Sequence, residues 1–297
     1  MPQTKIAIFG RVFNSSVTPY VNNLINYLVE RKVEIIVFDE FYTFLKKESN
    51  CPAHFSTFNN NEDLPKDISF MLCLGGDGTM LAAVSLIRDS GIPIAGINFG
   101  RLGFLANIPK NEIEEALNQI LSGNYGIQER ALLSVESTNK TLFEGENFAL
   151  NDITVFRHDT SSMITIDAKI NTELLNSYWA DGLIIATPTG STAYSLSCGG
   201  PIIMPGSGNF VITPISPHNL NVRPLVVSEN ITLRLKIESR TEKFILSCDS
   251  KSETLNTDTE LTIKKAPFKV RLIRLENDSY FTTLREKLLW GIDVRNY

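Results

Sequence analysis

Apolar residues recur along this chain in two rhythms, and the change from one to the other divides the sequence. Residues 5–10 and 33–38 are short apolar runs of the kind that buried strands show. Between them Val21, Leu24, Ile25, Leu28 and Val29 fall on one helical face, with Thr18 and Pro19 suited to the cap and first turn. Strand, helix and strand in succession imply a parallel pair. The pattern returns as a strand at 68–74, a helix at 79–89 closed by Gly91 and a strand at 92–97. A further helix at 112–121 places Ile113, Ala116, Leu117, Ile120 and Leu121 on one face, with Gly123 after it. Residues 1–125 are therefore expected to form an α/β domain with an open, mostly parallel sheet.

From about residue 126 helical spacing nearly vanishes, and β-branched runs separated by turn residues take over, as at 163–170, 182–187, 231–237 and 270–275. This predicts an all-β second domain over 126–278. In the tail, Phe281, Leu284, Leu288 and Leu289 regain helical spacing, so a closing helix within 279–297 is expected to return to the α/β domain. Residues 50–67 and 216–224, rich in Pro, Asn and polar side chains, read as loops.

Composition narrows the partners. The 297 residues are 43% hydrophobic and 21% charged, ordinary globular content and more than one compact domain usually needs. A net charge of −5 leaves no excess of Lys and Arg for a nucleic-acid backbone or an anionic membrane surface, so neither is expected as a partner. The four cysteines, Cys51, Cys73, Cys198 and Cys248, are far apart and show no C-x-x-C spacing, which predicts reduced thiols rather than a disulfide framework or zinc ribbon. The N-terminal apolar run at 6–9 is too brief for a signal peptide, and no apolar stretch is long enough to span a bilayer. A soluble, cytoplasmic protein is expected.

Two segments carry candidate chemistry. Gly75-Gly76-Asp77-Gly78-Thr79 follows the strand ending at Leu74 and opens a helix, so its backbone N–H groups lie at the carboxyl end of the sheet, where phosphates bind. Glycines at 75, 76 and 78 permit the close backbone approach of a phosphate cradle, and Thr79 completes it. A plain strand-to-helix turn would not need an acid at its tip. An ionised Asp77 beside phosphates is repelled unless a metal or a hydroxyl proton compensates, which points to a kinase in which Asp77 orients an acceptor hydroxyl. An unperturbed Asp, with a pKa of roughly 3.9, is a weak base for an alcohol. In a loose phosphoryl-transfer transition state, alignment outweighs basicity. Neither G-x-x-x-x-G-K-[ST] nor G-x-G-x-x-G is present.

The second segment, Asp181 to Gly200, joins a strand to a dense run of small hydroxyl residues that can line a polar ligand, or equally form a Ser/Thr-rich loop before a helix. It is not a hydrolase elbow, because Ser195 stands where G-x-S-x-G centred on Ser197 needs its first glycine. Taken in order, Gly75 to Thr79, Gly96 to Leu105, Asp181 to Gly200 and the stretches Pro217 to Leu220 and Arg223 to Leu225 resemble the bacterial NAD kinase family over nearly the whole chain. Gly-Gly-Asp-Gly-Thr alone also occurs in phosphofructokinases and diacylglycerol-type lipid kinases; Asp-Gly-Leu-Ile with Thr-Pro-Thr-Gly-Ser-Thr-Ala-Tyr is far more specific.

The resemblance implies an α/β domain and a sandwich-like β domain with NAD between them, and transfer of the terminal phosphate of ATP or polyphosphate to the 2′-hydroxyl of the adenosine ribose. Magnesium is implied as a companion of ATP, with no protein-held metal. Asp77 matches the catalytic acid and Gly78 its neighbour. Asn151 and Asp152 match an Asn-Glu pair that holds adenosine, with Asp152 one methylene shorter. Thr192, Ala193, Tyr194, Ser195 and Ser197 match the adenine and ribose segment. Asp181 matches an acid that reaches the nicotinamide half of NAD in related oligomers, so a homodimer or homotetramer is also implied. In Cys248-Asp249-Ser250-Lys251, where many members have Asp-Gly-Gln, Lys251 is a candidate phosphate contact, although a solvated loop lysine is the blander reading. Alternatives are a diacylglycerol-type lipid kinase and a non-catalytic NAD(P) sensor. His54, His158 and His218 share no metal-ligand spacing, and His218 is expected to hold its loop. Phe99, Leu102, Phe104 and Leu105 are expected in the core, while Tyr178 and Trp179 fit either a ligand wall or strand packing.

Overall fold

The structure, a computed structural model, describes residues 4–48, 54–100, 103–159, 162–276 and 278–290. Cys51, Arg101, Leu102 and the end of the tail lie outside the described residues. The chain divides into two compact units, one of residues up to Gln128 together with those from Val270 onward, the other Glu129–Lys269.

In the first unit, strands β1 (Lys5–Gly10), β2 (Glu34–Phe38), β3 (Ser56–Phe58), β4 (Phe70–Leu74) and β5 (Ile94–Asn98) form a parallel sheet in the order β5-β4-β1-β2-β3, with a two-residue β6 (Ile108–Pro109) on β5. Helices α1 (Thr18–Glu30), α2 (Asp39–Glu48), α3 (Asp77–Ile87) and α4 (Ile113–Leu121) connect and flank it. Of the apolar faces read from sequence, Val21, Leu24, Ile25 and Leu28 are buried in α1 and Ile113, Ala116, Leu117 and Ile120 in α4, whereas Val29 at the end of α1 is exposed and Leu121 is half-buried. The central strands β1, β4 and β5 are almost wholly buried because helices cover both faces of a parallel sheet, whereas the edge strand β3 exposes Ser56 and Thr57.

The strand order matters for function. From β1 the chain crosses through α1 to β2 on one side, whereas from β4 it crosses through α3 to β5 on the other. Neighbouring strands whose connections diverge open a crevice beyond their carboxyl ends, the place where open α/β sheets bind ligands. The segment after Gly10 and the glycine turn after Leu74 both end there.

The second unit is an antiparallel sandwich. Its chain runs through β7 (Gly126–Ser137), β8 (Phe148–Ala149), β9 (Asp152–Arg157), β10 (Ile164–Ile170), β11 (Glu173–Ala180), β12 (Gly182–Ala186), a single helical turn α5 (Tyr194–Ser197), β13 (Asn209–Ile215), β14 (Leu225–Ser228), β15 (Leu233–Glu238), β16 (Lys243–Cys248), β17 (Lys251–Asn256) and β18 (Leu261–Arg274). One sheet has the order β11-β10-β15-β18 and the other β14-β13-β12-β9-β16-β17. Strand β15 alternates buried Leu233, Leu235 and Ile237 with exposed Arg234, Lys236 and Glu238, the mark of a strand with one face on a core. That core also takes Ile166, Leu183, Ile185, Phe210, Phe244 and Leu246. Strand β12 is buried on both faces, because Ile184 and Ala186 meet a second cluster with Ile203, Val211 and Ile215.

The chain passes between the units inside β7 and again inside β18. Residues beyond Lys269, which the sequence assigns to the β-rich part, join the first unit: Leu272 pairs in parallel with Ile94. Helix α6 (Tyr280–Leu288) follows in that unit, capped by Ser279, whose Oγ accepts from Thr282 N. Among the described residues no helix is long and apolar enough to cross a membrane. Replacing the fully buried Phe244 by Ala is expected to destabilise the sandwich by about 3–5 kcal/mol, read as a lower urea midpoint.

Candidate active site

In the first unit the turn after β4 makes Gly76 the cap of α3 and Asp77 its first residue. The helix thus starts two residues before the Thr79 start expected from the pattern, since Gly76 is still extended (φ −88°, ψ −167°) and an acid is favoured in a first turn. Asp77 Oδ1 accepts hydrogen bonds from the backbone N–H groups of Leu105 and Ala106, both at 3.0 Å, and Oδ2 accepts one from Phe104 at 2.9 Å. A carboxylate offers about four acceptor positions. Among the described residues Oδ1 is filled, and one position remains on Oδ2.

The acid can be held so tightly because a Cβ at Gly103 would lie 1.9 Å from Asp77 Oδ1, so glycine alone lets that segment close. Asn98 pins the same segment: its Oδ1 accepts from Gly100 N at 2.8 Å and its Nδ2 donates to Ala106 O at 3.4 Å. Asp77 lines a cavity of about 620 Å³ with Gly75, Gly76, Asn98 and Lys287 in its walls. Thr79 is buried beneath the turn, whereas Gly76 and Gly78 would meet no protein atom with an added Cβ. Phe99 lines this cavity, Leu105 is in the core, and Phe104 lies 6.5 Å from the ring of Tyr280.

The second unit gathers most of the other candidates. Asn151 precedes β9 and Asp152 begins it, both half-buried. The hydroxyl-rich segment docks on them: Thr187 N donates to Asn151 O at 2.9 Å, and a Cβ at Gly190 would lie 2.1 Å from that same oxygen. Thr192 and Ala193 are half-buried, while Tyr194 and Ser197 are exposed. Burial and then the Cys198 side chain raise the Tyr194 phenol above its ordinary pKa, with smaller contributions from the charges of Asp152 and Asp181. These groups therefore share one electrostatic neighbourhood. Burial, with the charge of Asp249 behind it, pushes Asp152 up to about 6 against the opposing hydroxyl of Thr154 at 3.0 Å.

Residues 6–125 match the model of the ATP-NAD kinase N-terminal domain, and residues 150–275 that of the ATP-NAD kinase C-terminal domain. The chain belongs to the NAD kinase family. Its relatives include NAD kinases of Cytophaga hutchinsonii, 46% identical over 98% of this chain and 99% of the relative, and of Flavobacterium psychrophilum, 46% identical over 98% and 100%. Among solved structures, yeast NADH kinase complexed with NADH has a TM-score of 0.89 at 24% identity, covering 100% of this chain and 90% of that one. An Archaeoglobus fulgidus NAD kinase in complex with ATP has a TM-score of 0.71 at 24% identity over 95% and 99%. These two share the fold. The chain is a kinase that phosphorylates NAD, and neither the lipid kinase nor the sensor finds support.

Within this NAD kinase, two candidates stand differently from their expected places. Ser195 is fully buried, with its hydroxyl 2.8 Å from that of Thr213, so it ties the segment to β13 and offers no hydroxyl to a ligand. Lys251 is neither solvated nor poised for phosphate: its Nζ donates to Glu146 O at 2.8 Å and Glu146 Oε2 at 3.2 Å. Asp181 is ion-paired with Arg157 Nε at 3.1 Å. His218 holds its loop, its N–H donating to Trp179 O at 2.8 Å and its ring 4.3 Å from that of Trp179; Tyr178 is buried in the strand core.

Asp249 is the residue that sequence reasoning passed over. Its carboxylate accepts from the N–H groups of Leu150 (2.8 Å), Asn151 (2.8 Å) and Asp152 (3.1 Å), which sets the backbone of the adenosine-type pair. Burial raises its pKa, against those three amides and Lys251. Its presence in a motif that departs from the family pattern was the available signal. Asp249→Ala, which strands three amides, is expected to cost about 3 kcal/mol or more in urea unfolding. For Asp152, a pKa above the ordinary value means that its ionised form burdens the fold above about pH 6, and that this burden fades as pH falls towards 3.8. Asp152→Asn is therefore expected to raise stability by about 2 kcal/mol near neutral pH, with the gain shrinking on acidification through 6 in thermal melts.

Proposed function

We propose that the enzyme transfers the terminal phosphate of a nucleoside triphosphate, ATP, to the 2′-hydroxyl of the adenosine ribose of NAD, with Asp77 as the catalytic acid-base group. The observation that carries this is the single open acceptor position on Asp77 Oδ2, in a cavity whose wall is bare glycine backbone at the start of a helix. Donor phosphates bind along Gly75, Gly76 and Gly78, and Thr79 braces the turn from below. The acceptor hydroxyl donates its hydrogen bond to Oδ2. As the hydroxyl oxygen bonds to phosphorus, the donor's bridging P–O bond breaks, its electron pair leaves with ADP, and the hydroxyl proton passes late to Oδ2 and on to solvent. Fixing the carboxylate through three amides supplies alignment rather than basicity, which is where such a reaction gains its rate.

Magnesium would come as the companion of the donor's own phosphates, whose charge it would neutralise. Asn151 and Asp152 take the adenosine ribose hydroxyls, and Thr192, Ala193, Tyr194 and Ser197 shape the adenine site. Asp181, held by Arg157, faces the nicotinamide half, and assembly as a homodimer or homotetramer serves that end. The relative complexed with NADH and the relative in complex with ATP support these two ligand classes for this chain. The free thiols of Cys73, Cys198 and Cys248 suit a reducing cytoplasm.

Incubation with NAD, ATP and magnesium, coupled to an NADP-specific dehydrogenase, is expected to report NADP. Asp77→Asn is expected to lower kcat by about 10²–10⁴-fold with NAD binding retained, because one acceptor oxygen becomes an amide donor aimed at N–H groups. Near-wild-type kcat in that variant refutes the role given to Asp77.

A further inference from the structure

The tail of the chain reaches the loop that holds Asp77. Asn107 follows directly on Ala106, whose N–H donates to Asp77 Oδ1 and whose carbonyl accepts from Asn98 Nδ2. The Asn107 side chain bonds to the tail: its Nδ2 donates to Asp278 Oδ2, 171 positions away in sequence. Asp278 lies between β18 and α6 and is itself fixed. The same Oδ2 accepts from Leu275 N at 3.1 Å, the Asp278 N–H donates to Leu275 O at 3.0 Å, and Arg274 Nη1 stands 3.9 Å from the carboxylate. Arg274 Nε in turn donates to Gln128 Oε1 at 2.9 Å.

One short loop thus carries three holds. Asp77 takes the amides of residues 104–106, Asn98 takes Gly100 N and Ala106 O, and Asp278 takes the side chain of Asn107. Asn107 and Asp278 are half-buried in the wall of a cavity of about 380 Å³, with Asn98 and Gly100 beside them, so a polar contact and not core packing holds the Asn107 side chain. At Phe104 the tail makes a second contact, through the ring of Tyr280 at 6.5 Å. An acid held by three amides is aimed only as well as those amides are placed, and a displacement of about 1 Å in a reacting group costs on the order of a hundredfold in rate.

We propose that Asp278 and Asn107 are positioning residues for phosphoryl transfer: the hydrogen bond between them fixes the loop whose amides aim Asp77, so a residue of the tail sets the geometry of the reacting acid. The inference rests on the preceding reading of Asp77 as the group that meets the acceptor hydroxyl. Both residues act through the loop and not on the substrate.

The test exchanges donor and acceptor. Asn107→Asp alone sets two carboxylates against each other; adding Asp278→Asn restores one donor and one acceptor, and leaves an oxygen to accept from Leu275 N. In the full-length protein assayed with NAD, ATP and magnesium, Asn107→Asp is expected to lower kcat about tenfold or more with KM for NAD within about twofold of wild type. The double variant is expected to regain kcat to within about threefold, as a contact acting as a unit requires. Hydrogen exchange followed by mass spectrometry reads the loop without turnover: the amides of residues 104–106 exchange about tenfold faster in Asn107→Asp and recover their protection in the double variant. Asp278→Ala, which removes the acceptor without repulsion, is expected to lower kcat about fivefold and guards against a fold defect in Asn107→Asp. With Asp77→Asn already present, Asn107→Asp is expected to lower kcat no further, since the loop has no acid left to aim. Unchanged kcat in Asn107→Asp, a loss that the double variant does not restore, a matching rise in KM, or unaltered exchange of residues 104–106 overturns the proposal. Near-wild-type kcat in Asp77→Asn refutes the reading of Asp77 instead, and the exchange rates still decide whether the tail holds the loop.

Discussion

Three successive amide N–H groups ending on one buried-edge carboxylate is the constraint on which this enzyme is built, and it is used twice. Asp77 gathers the amides of Phe104, Leu105 and Ala106, and Asp249 gathers those of Leu150, Asn151 and Asp152. Charge-assisted hydrogen bonds of this kind are among the stronger ones available to a protein, and each cluster fixes the backbone of a loop. In the first unit the anchoring acid is itself the group proposed to react, and the loop aims it. In the second unit the relation is reversed: the acid aims the loop, and the presented groups are Asn151 and Asp152.

The electrostatics of the two anchors differ in a way that follows from their surroundings. Asp249 and Asp152 are both half-buried, and burial raises both; the charge of Asp249 adds to the rise at Asp152, whose ionised form persists at the expense of the fold. Strained charge placement of this sort is common where a ligand hydroxyl will take up the acceptor capacity. The Ser195–Thr213 hydroxyl pair and the docking of Thr187 on Asn151 O show how the hydroxyl-rich run divides its labour. Some hydroxyls close the backbone of the segment, as Thr192 does by donating to Thr189 O at 3.2 Å, while Ser197 is exposed.

Much of this was legible in the sequence where the signal is local. The glycine turn, α1, α4 and the period-2 strand β15 each carry their pattern within a few residues, and their buried faces are the ones the pattern names. Elements without local signal were missed or misjudged. Helix α2 follows β2 with no turn residue between Phe38 and Asp39, so its Phe41, Tyr42 and Leu45 stripe was not read. In β18 Pro267 breaks the apolar pattern and only the stretch from Val270 reads as a strand; the structure shows the strand continuous through that point, pairing with β15 before it and with β5 after it. The anchoring by Asp249 joins residues about a hundred positions apart, and Lys251 is captured by Glu146 across a similar gap; no spacing rule announces either. The hundred-residue separation is the reason that a motif reading found the presented pair and not its support.

The two passages of the chain between its units have a bearing on biosynthesis. The parallel sheet of the first unit includes a strand, Val270 to Arg274, that leaves the ribosome only after every residue of the sandwich has been made. While the sandwich is being translated, Ile94 of β5 lacks its lateral partner, and an unpaired strand edge is an invitation to misassociation. Folding of this kinase during synthesis must therefore run inside out: the later-coded sandwich can complete itself first, and the earlier-coded sheet waits for the tail of the polypeptide to close it.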